Sequence, residues 1–492
     1  MSKKRKKDND IYIEFIGHSN TDVTGSSVLI NYKKDKDSRS YILIELGLVQ
    51  GENTIDKEIS ANRRMLENLP KDIIGNIEYV LLSHAHADHT CNLPYLNDDN
   101  GFKGEILGSE ATIEITKDLI KDSVYIHSKN IESLKSKGKK VKPLYTEVQM
   151  NQMFKRMRSI SIYEKIKLNE AVTIELVNSG HVYGATMIHL WIKKPNNSIK
   201  HIVYTGDMGS DYNNEYQPFV QKREQIDKCN LLISEATYNN PNRSFNNKEA
   251  KRERKELLEI IKNGLLNNKR ILIPIFSFGR CQSVYQWLYE ELKNEEWFKP
   301  YYIVMDGKLM FDVNNDYLKT LSEKDRKYFT QILNWDKLKK NKTYDSTLAT
   351  LSQRIPGIYL VSSGFMQSGR VVTYLQQFLN CSKDIICCLG YCGGEGSIGY
   401  KILDSEQKTV TIDKRVILKR AETHKFSSFS SHIQFDELIK LFKGVNADKI
   451  IIHHSSEKDK SEFGQIVREE LKQIGKTTKV EVVTKNNNVF IL

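Results

Sequence analysis

Short runs of apolar residues separated by glycines open the chain and predict a β-meander. Residues 11–16, 27–32 and 41–46 are each rich in isoleucine, leucine and aromatic side chains. Runs of this length, bounded by turn-forming residues, are typical of strands. On the same grounds we predict four further strands, at residues 77–82, 172–177, 187–191 and 201–204.

Helical periodicity separates some of these strands. Residues 110–128 and 147–159 repeat apolar positions at helix spacing, and three methionines of the second segment lie on one face. Core packing explains those methionines better than any role as ligands. The charged stretch 130–142 is expected to be solvated.

Strands and helices alternate in the second half of the chain, from about residue 217. A charged helix over 248–266 leads into a strand at 270–276. Three later strands, each ending in a turn rich in glycine or serine, are predicted at residues 302–305, 357–361 and 385–389. This alternation predicts a parallel α/β sheet as a second domain. Turns at the carboxyl ends of such strands are the usual place for phosphate contacts.

Four side chains able to bind metal fall within six residues, directly after the apolar run 77–82. They are His84, His86, Asp88 and His89, in the pattern H-x-H-x-D-H. Imidazole nitrogen and carboxylate oxygen are typical zinc ligands, and this spacing suits a two-metal site. We expect the first two residues to bind one ion and the last two to bind a second. The alternative is a surface turn whose histidines are satisfied by hydrogen bonds.

Two later strands are also followed by residues whose side chains are able to bind metal. Ser179-Gly180-His181 follows one strand, and Thr205-Gly206-Asp207 follows another. A lone histidine or aspartate at a strand end is usually structural. Here each strand could lie beside the strand that leads to His84, so His181 can complete the first ion's ligands and Asp207 can bridge both ions.

Composition favours an anionic partner inside a cell. The 74 Lys and Arg residues outnumber the 62 Asp and Glu residues, which gives a net charge of +12. Nucleic acid leads among anionic partners, although a lysine-rich proteome would give the same sign. The seven cysteines contain no C-x-x-C pair, which is typical of reduced thiols in a cytosol.

The amino terminus carries lysines and one arginine but no apolar segment that could serve as a signal peptide. Residues 1–10 are interpreted as a basic disordered tail, with an RNA contact or a nuclear address as alternatives. No apolar run approaches the length of a membrane span. We therefore expect a soluble, cytoplasmic protein without a membrane partner.

The order of these motifs resembles the metallo-β-lactamase superfamily. The segment ending in S-E-A-T-Y at Tyr238 is similar to the element that opens the β-CASP insertion of its nucleic-acid-processing members, such as RNase J and cleavage and polyadenylation endonucleases. The resemblance implies a four-layer αββα sandwich with an inserted parallel α/β β-CASP cap domain. The domains expected are the first part of the metallo-β-lactamase domain, the β-CASP domain and the return to the first domain, at residues 11–216, 217–399 and 400–492.

Later segments also look like β-CASP elements. They are P-I-F-S-F-G-R ending at Arg280, S-S-G-F-M starting at Ser362, and G-Y-C-G-G-E-G-S starting at Gly390. The resemblance implies phosphate or RNA contacts by Arg280, Ser362, Ser363 and Gly364.

The F-S-S-H segment resembles the family element whose histidine faces the scissile phosphate. His432 is then a catalytic acid, oriented by Glu235. The strand before His453 and His454 aligns with the family strand that ends in a metal ligand, which implies that His454 is the ligand and that His453 is packed or faces solvent.

Two positions depart from the family pattern. Glu45-Leu46-Gly47 stands where D-C-G is usual, so the carboxylate is one methylene longer. His454-Ser455-Ser456 replaces the usual H-G-E, which keeps the ligand and changes its surroundings.

The function implied is hydrolysis of RNA by a hydroxide that bridges two zinc ions, with manganese as the alternative metal. His84, His86 and His181 would bind one ion, Asp88, His89 and His454 the other, and Asp207 both; Asp88, His432 and Glu235 are the catalytic candidates. RNA, expected to be single-stranded, is favoured over DNA because the DNA-directed branch usually has valine at the position of His454.

Three alternatives stay open: a DNA nuclease, a small-ester metallohydrolase, and a scaffold that binds RNA without catalysis. The chain stops soon after His454, which favours an endonuclease over a 5′ exonuclease. A homodimer is compatible with the sequence.

Overall fold

The computed structural model describes residues 11–18, 22–34, 38–51, 54–211, 217, 219–242, 246–394 and 397–492. The predicted basic tail at 1–10 and the residues Glu395 and Gly396 lie outside the described ranges. The chain divides into two compact units. The first unit comprises Met1–Asp211, Gln221–Ser244 and His432–Leu492, and the second comprises Tyr212–Val220 and Phe245–Ser431.

Strands and helices are numbered here in chain order. The strands are β1 (Ile11–Phe15), β2 (Val28–Lys33), β3 (Arg39–Ile44), β4 (Ile77–Leu81), β5 (Glu105–Gly108), β6 (Met157–Ser159), β7 (Ile166–Lys167), β8 (Val172–Asn178), β9 (Thr186–Lys193), β10 (Ile199–Tyr204), β11 (Lys228–Glu235), β12 (Arg270–Pro274), β13 (Ile303–Asp306), β14 (Leu338–Asn341), β15 (Ile358–Val361), β16 (Asp384–Leu389), β17 (Thr409–Ile412), β18 (Arg415–Leu418), β19 (Glu422–Phe426), β20 (Asn446–His453), β21 (Lys479–Val482) and β22 (Val489–Ile491). The helices are α1 (Ile55–Leu66), α2 (Lys71–Ile74), α3 (Ala87–Thr90), α4 (Glu110–Ser136), α5 (Glu147–Phe154), α6 (Asn247–Leu266), α7 (Arg280–Leu292), α8 (Lys308–Thr320), α9 (Glu323–Leu333), α10 (Tyr344–Gln353), α11 (Arg370–Phe378), α12 (Ile398–Leu403), α13 (Phe435–Gly444) and α14 (Glu457–Gln473).

Two seven-stranded sheets pack face to face in the first unit. Their orders are β22-β1-β2-β3-β4-β5-β6 and β21-β20-β11-β10-β9-β8-β7. Alternate residues such as Ile11, Ile13 and Phe15 in β1 join Ile188 and Leu190 of β9 in one buried core between the sheets. This alternation follows from the two-residue period of a strand, which gives each sheet one inward face.

Helices cover the outer faces of these sheets. Leu438 and Phe442 of α13 and Phe463 of α14 share a second buried cluster with Val203 and Leu232 of the second sheet. On the first sheet, α4 packs against β5 and β6. The layers are therefore helix, sheet, sheet and helix, as the predicted αββα sandwich requires.

The second unit is built on a six-stranded sheet in the order β14-β13-β15-β12-β16-β19. All of its pairings are parallel. The strands are nearly continuous apolar runs, such as Ile271-Leu272-Ile273, because helices between successive strands bury both faces of a parallel sheet. The predicted parallel α/β insertion is confirmed.

The two units differ from the predicted domain boundaries. Strand β11, expected in the inserted domain, lies between β10 and β20 in the first unit. Strand β19, expected in the returning segment, pairs with β16 in the second unit. Both strands pair in parallel with their neighbours, and their apolar patterns do not specify which sheet they join.

Residues 409–418, which the expected boundaries assign to the returning part of the first domain, form the β17–β18 hairpin of the second unit. Asp413 and Lys414 at its turn both have positive φ, as a two-residue hairpin turn requires.

Two local predictions also differ from the structure. Helix α4 extends to Ser136 and buries Ile131 and Leu134, so the stretch 130–142 is not wholly solvated. Helix α5 ends at Phe154, and residues 157–159 form the edge strand β6 instead of a last helical turn.

Among the helices of the described ranges, none is long and apolar enough to cross a lipid bilayer.

Candidate metal centre

The H-x-H-x-D-H motif lies where the buried strand β4 ends. The backbone N–H of Leu82 still donates to Leu107 of β5, and helix α3 begins at Ala87. Between them the turn is closed by the hydroxyl of Thr90, which donates to the carbonyls of Ala85 and His86 at 3.1 and 3.0 Å. A rigid sheet edge therefore fixes the backbone that carries the histidines.

Three imidazole nitrogens and one carboxylate converge at this edge. Nε2 of His84 lies 3.0 Å from Nδ1 of His86, and Nε2 of His181 lies 3.3 Å from that same atom. Oδ2 of Asp207 lies 3.6 Å from Nε2 of both His84 and His181. The four candidate ligand atoms all lie within 4.8 Å of one another, and they belong to the residues predicted for the first ion.

A second group of ligand atoms adjoins the first. One atom each from Asp88, His89 and His454 lie within 4.8 Å of one another. Nε2 of His89 is 3.7 Å from Oδ2 of Asp88 and 3.5 Å from Oδ2 of Asp207, while Oδ1 of Asp207 is 3.6 Å from Nδ1 of His454. The Asp207 carboxylate thus faces both groups, which is the position expected of a bridging ligand.

Glycines let His181 and Asp207 approach so closely. Gly180 and Gly206 both have positive φ, at +75° and +53°. A Cβ on Gly206 would lie 2.5 Å from Oγ of Ser83, and a Cβ on Gly209 would lie 1.8 Å from the carbonyl oxygen of Gly180. The turns that present His181 and Asp207 have no room for a larger residue at Gly206 or Gly209.

Two observations indicate that these histidine and aspartate side chains could bind a metal ion. Within the described part of the chain, Nε2 of His89, Nε2 of His454 and Oδ1 of Asp207 are buried without a hydrogen-bond partner. Such orphaned buried atoms are costly unless another group, such as a cation, satisfies them. Nitrogen and carboxylate donors in this number are the ligands that zinc prefers.

The electrostatics agree with that assignment. Burial holds the pKa of His84 and of His181 well below its usual value and lowers the pKa of His86 to about 4, so these rings offer neutral nitrogens. Burial alone would lower the pKa of His89, but the charges of Glu45, Asp207 and Asp88 raise it well above its usual value. That excess of negative charge is what a bound cation would balance.

Glu45 contacts His89 of the second group of candidate ligands. Although its side chain is one methylene longer than the usual aspartate, its carboxylate is fully hydrogen-bonded. Its carboxylate accepts from Nδ1 of His89 at 2.7 Å, from the Tyr204 hydroxyl at 2.6 Å, and from Ser83. Burial would raise the pKa of Glu45, but His89 and these donated hydrogen bonds lower it. A positive φ of 62° at Glu45 turns the chain so that the carboxylate reaches His89.

His432 lies beside these two groups of candidate ligands, and together with Asp207 and Glu235 it forms a further group whose ligand atoms lie within 4.8 Å of one another. Its Nδ1 is 3.2 Å from Oε2 of Glu235, and its Nε2 is 3.9 Å from Oδ2 of Asp207. Burial alone would lower the pKa of His432, but the charges of Glu235 and Asp207 raise it to about 9. These two carboxylates favour the protonated form of the imidazole, which is the form that a catalytic acid needs.

The backbone fixes the pair formed by His432 and Glu235. Glu235 is fully buried, and its carboxylate accepts from the N–H of Met208 at 2.6 Å and of Thr237 at 3.2 Å. The N–H of Ile433 donates to Met208 at 2.8 Å. Both residues of the pair are thus attached to the segment that follows Asp207.

His453, the last residue of β20, and His454, which follows it, have different surroundings. His453 is buried between the rings of Phe15 and Tyr204, with centroids at 5.4 and 5.5 Å. His454, which has a φ of +56°, turns toward Asp207. After it, Ser455 accepts from the Asn239 amide through its hydroxyl and from the Lys460 ammonium through its carbonyl, at 2.7 and 2.9 Å.

Three polar side chains at this centre escaped the sequence analysis. They are Ser83 and Tyr204, which donate to Glu45, and Thr237, whose Oγ1 lies 3.1 Å from Nδ1 of His454. Ser83 directly precedes the H-x-H-x-D-H motif, and Thr237 belongs to the S-E-A-T-Y segment. Tyr204 has no such signal, because in the sequence it is one more residue of an apolar strand.

The candidate phosphate-binding residues lie in the second unit, at the carboxyl ends of its strands. Ser362, Ser363 and Gly364 follow β15, and Oγ of Ser363 donates to Ser368 at 2.9 Å. Arg280 begins α7 after β12 and donates to the carbonyl of Leu389 at 2.7 Å. Their contact with RNA stays a prediction.

Two family models match the chain. The Beta-Casp domain matches residues 185–402, and the Zn-dependent metallo-hydrolase RNA specificity domain matches residues 417–483. Together they cover more than half of the chain, including Asp207, Glu235, His432 and His454. The second description agrees with the cluster of histidines and aspartates found at the sheet edge.

Relatives of this chain come from eukaryotes and an archaeon. An endoribonuclease ysh1 of Schizosaccharomyces pombe is 25% identical over 393 residues, which are 78% of this chain and 48% of the relative. Integrator complex subunit 11 of Gallus gallus is 25% identical over 394 residues, 79% of this chain and 60% of the relative. Transcription termination factor FttA of Methanocaldococcus jannaschii is 24% identical over 416 residues, 81% of this chain and 62% of the relative.

The chain spans about half the length of the first of these relatives. Its two matched domains, its sandwich of two sheets with a parallel α/β insertion, and its histidine and aspartate cluster agree with one another. The chain belongs to the β-CASP family of metallo-hydrolases within the metallo-β-lactamase superfamily.

Proposed function

We propose that this protein is a metal-dependent ribonuclease that hydrolyses phosphodiester bonds within RNA. The observation that carries the proposal is the position of His432. This residue, whose Nδ1 is 3.2 Å from Glu235, lies beside two groups of candidate metal ligands, and Asp207 lies close to both groups. A proton donor next to a dimetal site suits hydrolysis of a phosphodiester, whose leaving oxygen must be protonated.

His84, His86, His181 and Asp207 would hold one ion, and Asp88, His89, His454 and Asp207 would hold the second. Zinc suits the nitrogen-rich ligands better than manganese, which prefers oxygen. When bound, two zinc ions supply positive charge to the reacting phosphate and lower the pKa of water.

The protein's own groups account for binding geometry and proton transfer. Glu45 keeps the His89 ring oriented by accepting from its Nδ1, and burial of the centre excludes bulk water from His84 and His89. Glu235 accepts from Nδ1 of His432, so that Nε2, on the side of Asp207, carries the proton that can pass to the leaving oxygen.

Three findings support RNA as the substrate. The matched carboxyl-terminal domain is described as an RNA specificity domain, a relative is named an endoribonuclease, and the net charge is +12. The name of that relative also favours internal cleavage over exonucleolytic digestion. A role in RNA processing, a cytoplasmic location and a homodimer are extensions of this proposal that need their own measurements.

The test compares labelled polymers of one sequence. Single-stranded RNA with a 5′ label, the same RNA with an internal label, and the matching DNA are incubated with the protein. We expect internal RNA fragments and little DNA cleavage. Asp88→Ala should abolish cleavage, and Asp336→Ala, which removes a carboxylate whose side chain is 76% exposed in the second unit, should not. Equal cleavage of DNA, or cleavage by Asp88→Ala, would contradict the proposal.

A further inference from the structure

Three aromatic rings meet at the carboxyl end of the parallel sheet in the second unit. Phe276 follows β12, Phe365 follows β15 and Tyr391 follows β16. The ring centroids of Phe276 and Phe365 are 4.8 Å apart at 85°, and those of Phe365 and Tyr391 are 6.1 Å apart at 86°. These three residues are called here the strand-end aromatic cluster.

The cluster is open to solvent although the unit has a well-filled core. Tyr391 is 54% exposed, and Phe276 and Phe365 are half-buried. The rings of Tyr374 and Phe378, in the core of the same unit, are fully buried. A contiguous group of exposed aromatic rings costs solvation free energy and commonly marks a binding surface.

Glycines shape the backbone around these rings. A Cβ on Gly364 would lie 2.7 Å from the ring of Phe276, so the ring can occupy its position only beside a glycine. Gly390, with a φ of +95°, turns the chain out of β16 and directly precedes Tyr391. The exposed positions of Phe276 and Tyr391 therefore follow from the local backbone.

Positive charge accompanies the rings. The guanidinium of Arg280 lies 5.1 Å from the ring centroid of Phe276, and a Cβ on Gly390 would lie 3.1 Å from that guanidinium. Lys425 is exposed on β19, the strand next to β16. A hydrogen bond with Cys388 lowers the pKa of the Cys392 thiol against the effect of burial, and the charges of Arg280 and Lys425 lower it further. The positive charges of Arg280 and Lys425 therefore both lie near Cys392, the residue after Tyr391.

We propose that the strand-end aromatic cluster binds single-stranded RNA, with bases stacking on Tyr391 and Phe365 and phosphates facing Arg280 and Lys425. The inference rests on the proposed function for the identity of the polymer. Aromatic rings beside cations are the usual means of holding a single strand, because every base has a face that can stack. Bases in a duplex already stack on one another, so a duplex should bind less tightly.

The experiment measures binding without turnover. The full chain carrying Asp88→Ala is titrated, at fixed salt, against a fluorescent 12-nucleotide single strand, the matching duplex, and the same strand with abasic sites. In that parent, Tyr391→Ala should weaken single-strand binding about 5- to 150-fold, the range that alanine substitution of a stacking aromatic gives. Tyr391→Phe, which keeps the ring, should bind like the parent.

Tyr344→Ala is the matched control, because Tyr344 is 52% exposed in the same unit and lies outside the cluster. It should bind like the parent. On abasic RNA, Tyr391→Ala and the parent should bind equally, because no base remains to stack. An equal loss on intact and abasic RNA would overturn the inference in favour of a misfolded turn or a different contact.

The two proposals can fail separately. Single-strand binding that Tyr391→Ala leaves intact overturns this inference while the ribonuclease proposal stands. A protein that cleaves no RNA but binds it in a Tyr391-dependent manner contradicts the ribonuclease proposal and supports the binding site. A parent that binds no RNA contradicts both.

Discussion

Nδ1 of His89 lies 2.7 Å from the carboxylate of Glu45, and both side chains are completely or almost completely buried. The contact leaves Nε2 of His89 facing Asp88 and Asp207. A carboxylate that accepts from the far nitrogen of a ligand histidine fixes the ring and increases its basicity.

Glu45→Gln should therefore weaken zinc binding about 10- to 100-fold, which is the usual effect of losing such a carboxylate partner. The measurement is a competition for zinc against a chromogenic chelator. Glu175→Gln, a change on the half-exposed face of β8, serves as the control. Unchanged zinc affinity in Glu45→Gln would show that the hydrogen bond to His89 does not support the site.

Asp88→Ala or His89→Ala should abolish hydrolysis while RNA binding survives. Each change removes a candidate ligand of the second ion, whereas the proposed affinity for RNA depends on charge contacts with phosphates elsewhere on the protein. Cleavage and fluorescence anisotropy, measured on one preparation, separate the two effects. A variant that stays folded by circular dichroism yet binds no RNA would refute this separation.

His432→Ala should retain both metals and lose activity about 10²- to 10⁴-fold, the usual contribution of a positioned acid. The loss should be smaller on an aryl phosphodiester with a nitrophenolate leaving group, because that group needs no proton. Metal content, thermal melting and the two rates are measured on the same sample. Loss of zinc would make His432 a ligand, and equal rate losses on both substrates would exclude the acid role.

Lys460 gives a prediction about pH and stability. The side chain is fully buried, and burial lowers the pKa of Lys460 from 10.5 to about 8. Between those values the folded protein binds fewer protons than the unfolded chain, so this residue makes the free energy of unfolding rise with pH. Lys460→Met removes that contribution.

Urea unfolding of Lys460→Met and of the unmodified protein at pH 7.5 and pH 9.5 tests the sign. The difference in the free energy of unfolding, unmodified protein minus variant, should increase from the lower to the higher pH. The exposed Lys472→Met on the same helix should leave the difference constant. A constant difference for Lys460→Met would mean that its pKa is not lowered in the folded protein.

The metal centre could be predicted largely because its signals are local. His84, His86, Asp88 and His89 follow one apolar strand, and His181 and Asp207 each follow a strand and a glycine turn. Residues at strand ends on neighbouring strands meet at one sheet edge, so their convergence follows from the order of the strands. The resemblance added His454, Glu235 and His432, which lie far along the chain.

The supporting contacts could not be predicted, because they depend on how strands are paired. Tyr204 reaches Glu45 only because β10 and β3 lie in facing sheets, and an apolar run does not specify which sheet it joins. For the same reason, the predicted domain boundaries assign β11 and β19 to the wrong units. The sequence predicts helix at the edge strand β6 because Met150, Met153 and Met157 fit a helical period.

The central claim is that RNA hydrolysis depends on metal held by this cluster. Protein stripped with a chelator is titrated with zinc while bound zinc per chain and the rate of RNA cleavage are both measured. We expect no cleavage without metal and a rate that rises to its maximum as occupancy approaches about two ions per chain. Full activity at one ion or fewer would contradict the two-metal site, and cleavage by fully stripped protein would contradict the claim itself.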